Sequence, residues 1–72
     1  MKISSPEAIM KKARQLFDKS DKTLEQLGLA MGYGEGIARR SAWQFLNKTS
    51  DPRLSMLCRF AEAMGIELKE LL

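Results

Sequence analysis

This chain of 72 residues contains no histidine and a single cysteine, Cys58. It therefore lacks the set of imidazole and thiolate ligands that a zinc site requires, and one cysteine alone forms no intramolecular disulfide. The commonest general acid–base group is also missing, and neither a phosphate-binding glycine loop nor a suitably placed carboxylate pair replaces it. We expect a protein that uses neither cofactor nor metal and is not an enzyme.

Residues that favour β-strands are scarce as well, since the chain has no valine and only two threonines. Alanine, leucine, methionine, lysine, glutamate and glutamine dominate, and these residue types favour helices. Hydrophobic residues make up 44% of the chain and charged residues 29%, as is typical of folded domains. The composition predicts one all-α domain that spans residues 1–72.

No apolar run is long enough for a membrane-spanning helix, and the first residues lack the apolar segment of a secretory signal. A single cysteine is also typical of proteins from reducing compartments. A cytoplasmic location is therefore expected.

Apolar residues recur at helical spacing in five segments, each bounded by capping residues, proline or glycine. Ser4 or Ser5 is the expected N-cap of the first helix, and Thr23 with Gln26 has the spacing of a capping box. Gly28 falls on the inward face of the second helix, where it would allow another helix to approach closely. The predicted segments are Pro6–Asp18, Thr23–Gly32, a third helix that ends near Asn47, Pro52–Met64 with Asp51 as its N-cap, and Glu67–Leu72.

Positive charge is concentrated in the middle of the chain, although the net charge is only +3. Residues 36–60 contain five lysines and arginines against Asp51 alone, whereas residues 61–72 carry a net charge of −2. A local basic patch suits a polyanionic partner, and a solvated charged surface is the simpler alternative.

The third segment separates apolar from polar side chains. Its apolar residues gather on one side of a helical wheel, opposite polar residues that can hydrogen-bond to bases and phosphates. An arginine matches the O6 and N7 acceptors of guanine, and a glutamine matches adenine. The polar side consists of Arg40, Gln44 and Asn47, and one flank consists of Arg39 and Trp43.

The stretch Thr23–Gly28 (TLEQLG), followed by Met31 and Gly32, resembles the first helix of the helix-turn-helix in the phage repressor and Cro family, of the XRE type. The closing segments 51–57 and 60–72 are similar to the last helices of that family. The resemblance implies a compact five-helix, repressor-like domain with a helix-turn-helix at about residues 23–47. It also implies sequence-specific binding of double-stranded DNA through the major groove, as a transcription regulator.

Two features differ from the family pattern. The family carries a glutamine that touches the DNA backbone where this chain has Leu24. The segment between Gly32 and Pro52 is also longer, by about four residues, which is close to one helical turn. We therefore predict that the recognition helix begins one turn early, at Gly34 or Glu35.

The resemblance assigns DNA contacts to two groups of residues. The start of the recognition helix faces bases, and its end with the following loop contacts the DNA backbone. The small size of the domain further predicts a homodimer or close pair on DNA, because one such module covers only about 600–1,000 Å². The predicted DNA-binding residues are Arg39, Arg40, Ser41, Gln44, Asn47, Lys48 and Thr49.

Several of these residues also have simpler explanations. Arg40 and Gln44 suit an ordinary solvent-exposed surface, and Arg39 is equally suited to pairing with a carboxylate. Trp43 suits packing at the edge of the core or contact with a partner. The alternative function is therefore a helical protein-interaction module, antitoxin-like or adaptor, that keeps the fold without DNA binding.

Overall fold

A computed structural model describes residues 5–72, and within that range the chain forms helices and turns without a strand. The predicted all-α class is confirmed, but the fifth predicted helix is only a short 3₁₀ turn. None of the helices in this range is long and apolar enough to cross a membrane. The elements are α1 (Pro6–Lys19), α2 (Leu24–Ala30), α3 (Ala38–Lys48), α4 (Leu54–Met64) and the 3₁₀ turn (Leu68–Leu71).

The first two helices begin with the predicted caps. The Ser5 hydroxyl accepts a hydrogen bond of 3.1 Å from the backbone amide three residues further on. Ser4, the other candidate cap, lies outside the described residues. Thr23 and Gln26 form a reciprocal capping box, in which each side-chain oxygen accepts from the other residue's amide at 2.9 and 3.1 Å.

The end of α2 is closed by Gly32, which has a φ of +102°. Its amide donates to the Leu29 carbonyl and the Tyr33 amide donates to the Gly28 carbonyl, both at 3.0 Å. This is the Schellman pattern, and a residue without a Cβ atom adopts the required φ at low cost. Gly65 follows α4 in the same left-handed region. Both glycines therefore end helices as predicted.

The prediction that the third helix begins at Gly34 or Glu35 is wrong. α3 begins at Ala38, and Ile37 before it has a φ of −124°, outside the helical range. The extra residues lengthen the connection instead, which ends in a turn where the Ile37 amide donates to the Gly34 carbonyl at 3.1 Å. Two glycines in this segment disfavour another helical turn, because each costs about 1 kcal/mol relative to alanine.

α4 also begins later than predicted, at Leu54 instead of Pro52. Arg53 is its N-cap, with an extended backbone (φ −74°, ψ 149°) and no side-chain capping bond, so the capping role predicted for Asp51 is wrong. A proline ring fixes the φ of its own residue but not its ψ, so Pro52 is also compatible with an extended connection.

One apolar core joins all five elements. The rings of Phe45 in α3 and Phe60 in α4 pack with their centroids 5.6 Å apart. α2 contacts both of these helices, whereas α1 contacts α3 and the 3₁₀ turn. Leu71 of the 3₁₀ turn is buried, so this turn completes the core.

Candidate nucleic-acid interface

α3 is held with one face in the core and the opposite face in solvent. Its four buried residues are each no more than 3% exposed, so the rotation of the helix about its own axis is fixed. This confirms the core face that the helical wheel predicts, which consists of Ala38, Ala42, Phe45 and Leu46.

The start of α3 lies directly against α2 at Gly28. A Cβ atom on Gly28 would overlap the backbone of Ala38, mainly at its carbonyl group, so no side chain larger than hydrogen fits. Gly28 is buried, and this contact is the packing reason that the sequence suggests for a glycine inside a helix. It fixes the first turn of α3 relative to α2.

The other end of α3 is held by α1. The Arg14 guanidinium donates a hydrogen bond of 2.9 Å to the carbonyl oxygen of Leu46, in the last turn of α3. Carbonyl groups in a last turn lack partners within the helix and carry the negative end of its dipole, so they favour a cation. The two residues are 32 positions apart, and sequence reasoning missed the contact because no local pattern signals it.

The outward face of α3 carries Arg39, Arg40 and Gln44, and all three residues are exposed. Within residues 5–72, neither Arg39 nor Arg40 forms an ion pair with a carboxylate. The ion pair seen there joins Lys69 and Glu67, far from α3 in the sequence. α3 itself contains no acidic residue. Two guanidinium groups and an amide therefore share one surface, and within the described chain their side chains form no hydrogen bond or ion pair.

At the C-terminal end of α3, two polar side chains form hydrogen bonds to backbone carbonyl groups of the helix. The Asn47 amide donates to the Trp43 carbonyl at 3.0 Å, and the Thr49 hydroxyl donates to the Gln44 carbonyl at 3.4 Å. Both side chains thus bond to the backbone of their own helix. Lys48 is exposed, whereas Thr49 is half-buried.

Trp43 lies at the edge of the core and is 44% exposed. The Lys48 ammonium lies 5.6 Å from the ring centroid, within the range of a cation–π interaction. Trp43 also lines a shallow pocket of about 190 Å³ together with Phe17 and Leu46. More than half of the Trp43 surface is therefore covered by the protein, and the rest is exposed to solvent.

Depressions border α3 on two sides. One, of about 390 Å³, lies towards α4 and includes three of the predicted contact residues, Ser41, Gln44 and Thr49. Ser41 is half-buried there. The other depression, of about 420 Å³, lies towards α2. The structure thus brings Arg39, Arg40 and Gln44 together on the outward face, whereas Ser41 and Thr49 lie on the flank towards α4 and Asn47 lines the pocket with Phe17.

The depression towards α2 also contains Leu24, a residue that the sequence does not place beside α3. Leu24 is the first residue of α2, and only the packing of α2 on α3 brings it beside Arg39, Arg40 and Trp43. It is half-buried, so part of its apolar surface remains accessible. This depression is lined by Leu24, Gly36, Arg39, Arg40 and Trp43.

Among residues 5–72, no cluster of three or more histidine, cysteine, aspartate or glutamate residues is placed to bind a metal ion. Cys58 is a free thiol and is half-buried. The side chains around α3 therefore offer hydrogen bonds, positive charge and apolar surface.

Comparison of the chain with models of known protein families, with curated proteins and with solved structures found no match.

Proposed function

We propose that this protein binds double-stranded DNA with α3 in the major groove and acts as a transcription regulator. The observation that carries the proposal is the surface of Arg39, Arg40 and Gln44, whose side chains have no partner within the described chain. A helix with its side chains is about 10–12 Å across, and the major groove is about 12 Å wide. A helix anchored along one face is therefore able to hold these side chains against base edges.

Each side chain on this surface has its own expected role. Arg40 suits the O6 and N7 acceptors of guanine, and Gln44, one turn further along, suits adenine. Arg39 on the flank and Lys48 at the end of the helix supply positive charge for phosphates. No side chain caps the start of α3, and because Ala38 is buried, the amides of the exposed residues Arg39 and Arg40 are the ones left for solvent or a phosphate oxygen.

The proposal includes a repressor-like helix-turn-helix, formed by α2, the connection 31–37 and α3. Two contacts support it, because they hold the two helices in one arrangement. Gly28 allows the start of α3 to touch α2, and the hydrogen bonds around Gly32 close the end of α2. The connection is longer than in the family, but it leaves the outward face of α3 uncovered.

A salt titration of binding to labelled random-sequence duplex DNA tests the proposal. Each phosphate contact contributes about −0.9 to the slope of log K against log salt concentration. We expect the double variant Arg39→Ala/Lys48→Ala to flatten the slope by up to about two units, because these two residues are the proposed phosphate contacts. The matched variant Lys11→Ala/Lys12→Ala removes the same charge from the exposed face of α1 and should leave the slope unchanged. Absence of binding at low salt would contradict the proposal.

The second candidate function, a helical protein-interaction module of antitoxin-like or adaptor type, is supported by exposed apolar residues. Ile37 is 54% exposed beside α3, Trp43 is 44% exposed on it, and Leu54 is 63% exposed at the start of α4. Aromatic and apolar side chains of this kind are common at the centre of protein interfaces. Selection of duplexes from a random pool separates the two functions, since only a DNA-binding protein enriches a preferred sequence.

A further inference from the structure

The depression between α2 and α3 combines two kinds of chemistry. Arg39 and Arg40 contribute guanidinium groups, whereas Leu24 and Trp43 contribute apolar surface. Gly36 adds no bulk, and a Cβ atom there would have no neighbour within 4 Å. The depression therefore suits a ligand edge that has hydrogen-bond acceptors and an apolar group side by side.

The major groove presents such an edge where a methylated pyrimidine stands next to guanine. Guanine offers O6 and N7 to a guanidinium group, and the 5-methyl group of thymine is the apolar feature that side chains contact there. 5-Methylcytosine carries the same methyl group at the same ring position. Uracil is thymine without this methyl group, and cytosine is 5-methylcytosine without it. Each of these two pairs of bases therefore differs by the methyl group alone.

The position of Trp43 favours contact with a small apolar group over insertion between bases. Trp43 is 44% exposed, so more than half of its surface is covered by the protein, and the Lys48 ammonium lies 5.6 Å from the ring centroid. The ring is thus supported at the rim of the depression, with Leu24 beside it. A methyl group placed against both residues would remove apolar surface of protein and DNA from water.

We propose that this depression recognises the 5-methyl group of a pyrimidine next to a guanine. Leu24 and Trp43 contact the methyl group, and Arg40 bonds to the guanine. The inference rests on the proposed DNA binding and adds to it a specificity that α3 alone does not provide, because Leu24 belongs to α2.

The test uses duplexes selected from a random pool and resynthesised with single base changes. In one set, each thymine next to a guanine is replaced by uracil; in the other, each cytosine next to a guanine is replaced by 5-methylcytosine. Burial of one methyl group corresponds to about fourfold in affinity. If the recognised base is thymine, we expect one of the uracil-substituted duplexes to bind about fourfold more weakly than the selected duplex. If the recognised base is 5-methylcytosine, we expect one of the methylated duplexes to bind about fourfold more tightly than the selected duplex.

Variants then assign the methyl effect to the two side chains. Trp43→Ala and Leu24→Gln should each bring the affinity ratio of the paired probes close to one, while the exposed control Leu54→Ala on α4 should leave it unchanged. Circular dichroism checks folding, and if Trp43→Ala does not fold, Leu24→Gln gives the answer. Equal binding of all paired probes by the parent, or an unchanged ratio in the folded variants, would overturn the inference but leave DNA binding intact. Failure to bind any duplex would overturn both.

Discussion

Arg40 and Gln44 lie one helical turn apart on α3, and both are exposed. Replacing either with alanine should change stability by no more than about 0.5 kcal/mol, because neither packs in the core. In the major groove, each bidentate base contact contributes about 1–3 kcal/mol of discrimination. We expect Arg40→Ala and Gln44→Ala to keep the parent Tm and to lose preference at one base position each. Competition binding against single-base variants of a selected site measures this, and an unchanged ranking would place the recognition surface elsewhere.

Lys48 should show the opposite pattern. It lies at the end of α3 and is exposed, and in the proposed complex it would meet the phosphate backbone, which carries no sequence information. Lys48→Ala should weaken binding to all duplexes alike and flatten the salt dependence by about one unit of slope. Lys12→Ala on α1 is the matched control. A loss that differs between sequences would assign Lys48 to base recognition instead.

Gly28 is the residue whose replacement should most directly disturb the arrangement of α2 and α3. An added methyl group would overlap the Ala38 backbone, which cannot move aside as a side chain can. We expect Gly28→Ala to destabilise the domain by at least about 2 kcal/mol in urea unfolding, despite the better helix propensity of alanine. Gly34→Ala is the control, because its Cβ would meet no atom within 4 Å. Equal stability of the two variants would show that the two helices are less closely packed.

At the scale of elements, α3 is held at both ends by different helices. Gly28 of α2 meets its first turn, and Arg14 of α1 meets its last. We expect Arg14→Met, which keeps much of the apolar stem, to cost about 1–2 kcal/mol, since a hydrogen bond from a charged group is lost from a half-buried position. For a domain of this size, Tm should fall by roughly 5–15 °C.

The control for Arg14 is Lys11→Met on the exposed side of the same helix, which removes a charge without a partner on α3. Thermal unfolding of both variants separates the effect of the contact from that of net charge. DNA binding by folded Arg14→Met at low temperature should remain close to that of the parent, because Arg14 lies outside the proposed recognition surface and the buried face of α3 and the Gly28 contact still hold the helix. Equal Tm values for the two variants would contradict a structural role for Arg14.

The whole molecule is small for the sequence-specific DNA binding that we propose. A single module of this kind covers only about 600–1,000 Å² of protein surface, which is too little for high specificity alone. We therefore expect two copies on each bound site, with repeated or inverted half-sites separated by about one helical turn of DNA or a multiple of it. Sedimentation of the complex with a selected duplex counts the copies. One copy on a site without repeated sequence would contradict this prediction.

We expect the apolar C-terminus to form the contact between the two copies, although three of its four apolar residues already pack in or against the core. Leu71 is 1% exposed and Leu68 is half-buried, whereas Leu72 is 58% exposed. Leu72→Ser should therefore reduce pairing on DNA at an unchanged Tm, with Leu29→Ser as a control that removes a similarly exposed leucine from α2. Pairing that survives Leu72→Ser would place the contact on another surface.

The sequence by itself determined the features that depend on residues close together in the chain. The helical class, the Thr23 capping box and the ends of helices at Gly32 and Gly65 all follow from contacts within about one helical turn. The inward face of α3 follows from the period of its apolar residues, because only one face of a helix can pack against the core. Exposure of Arg40 and Gln44 is the direct consequence.

Only the tertiary structure decided where α3 and α4 begin and which residues meet across helices. Gly34 and Pro52 are each compatible with a helix or with a connection, and the choice depends on how far the chain must reach before its next apolar face packs. The approach of Leu24 to Trp43 and the bond from Arg14 to Leu46 join segments far apart in sequence. Such contacts form only after the helices pack, because the free energy that selects them comes from burial of several elements together.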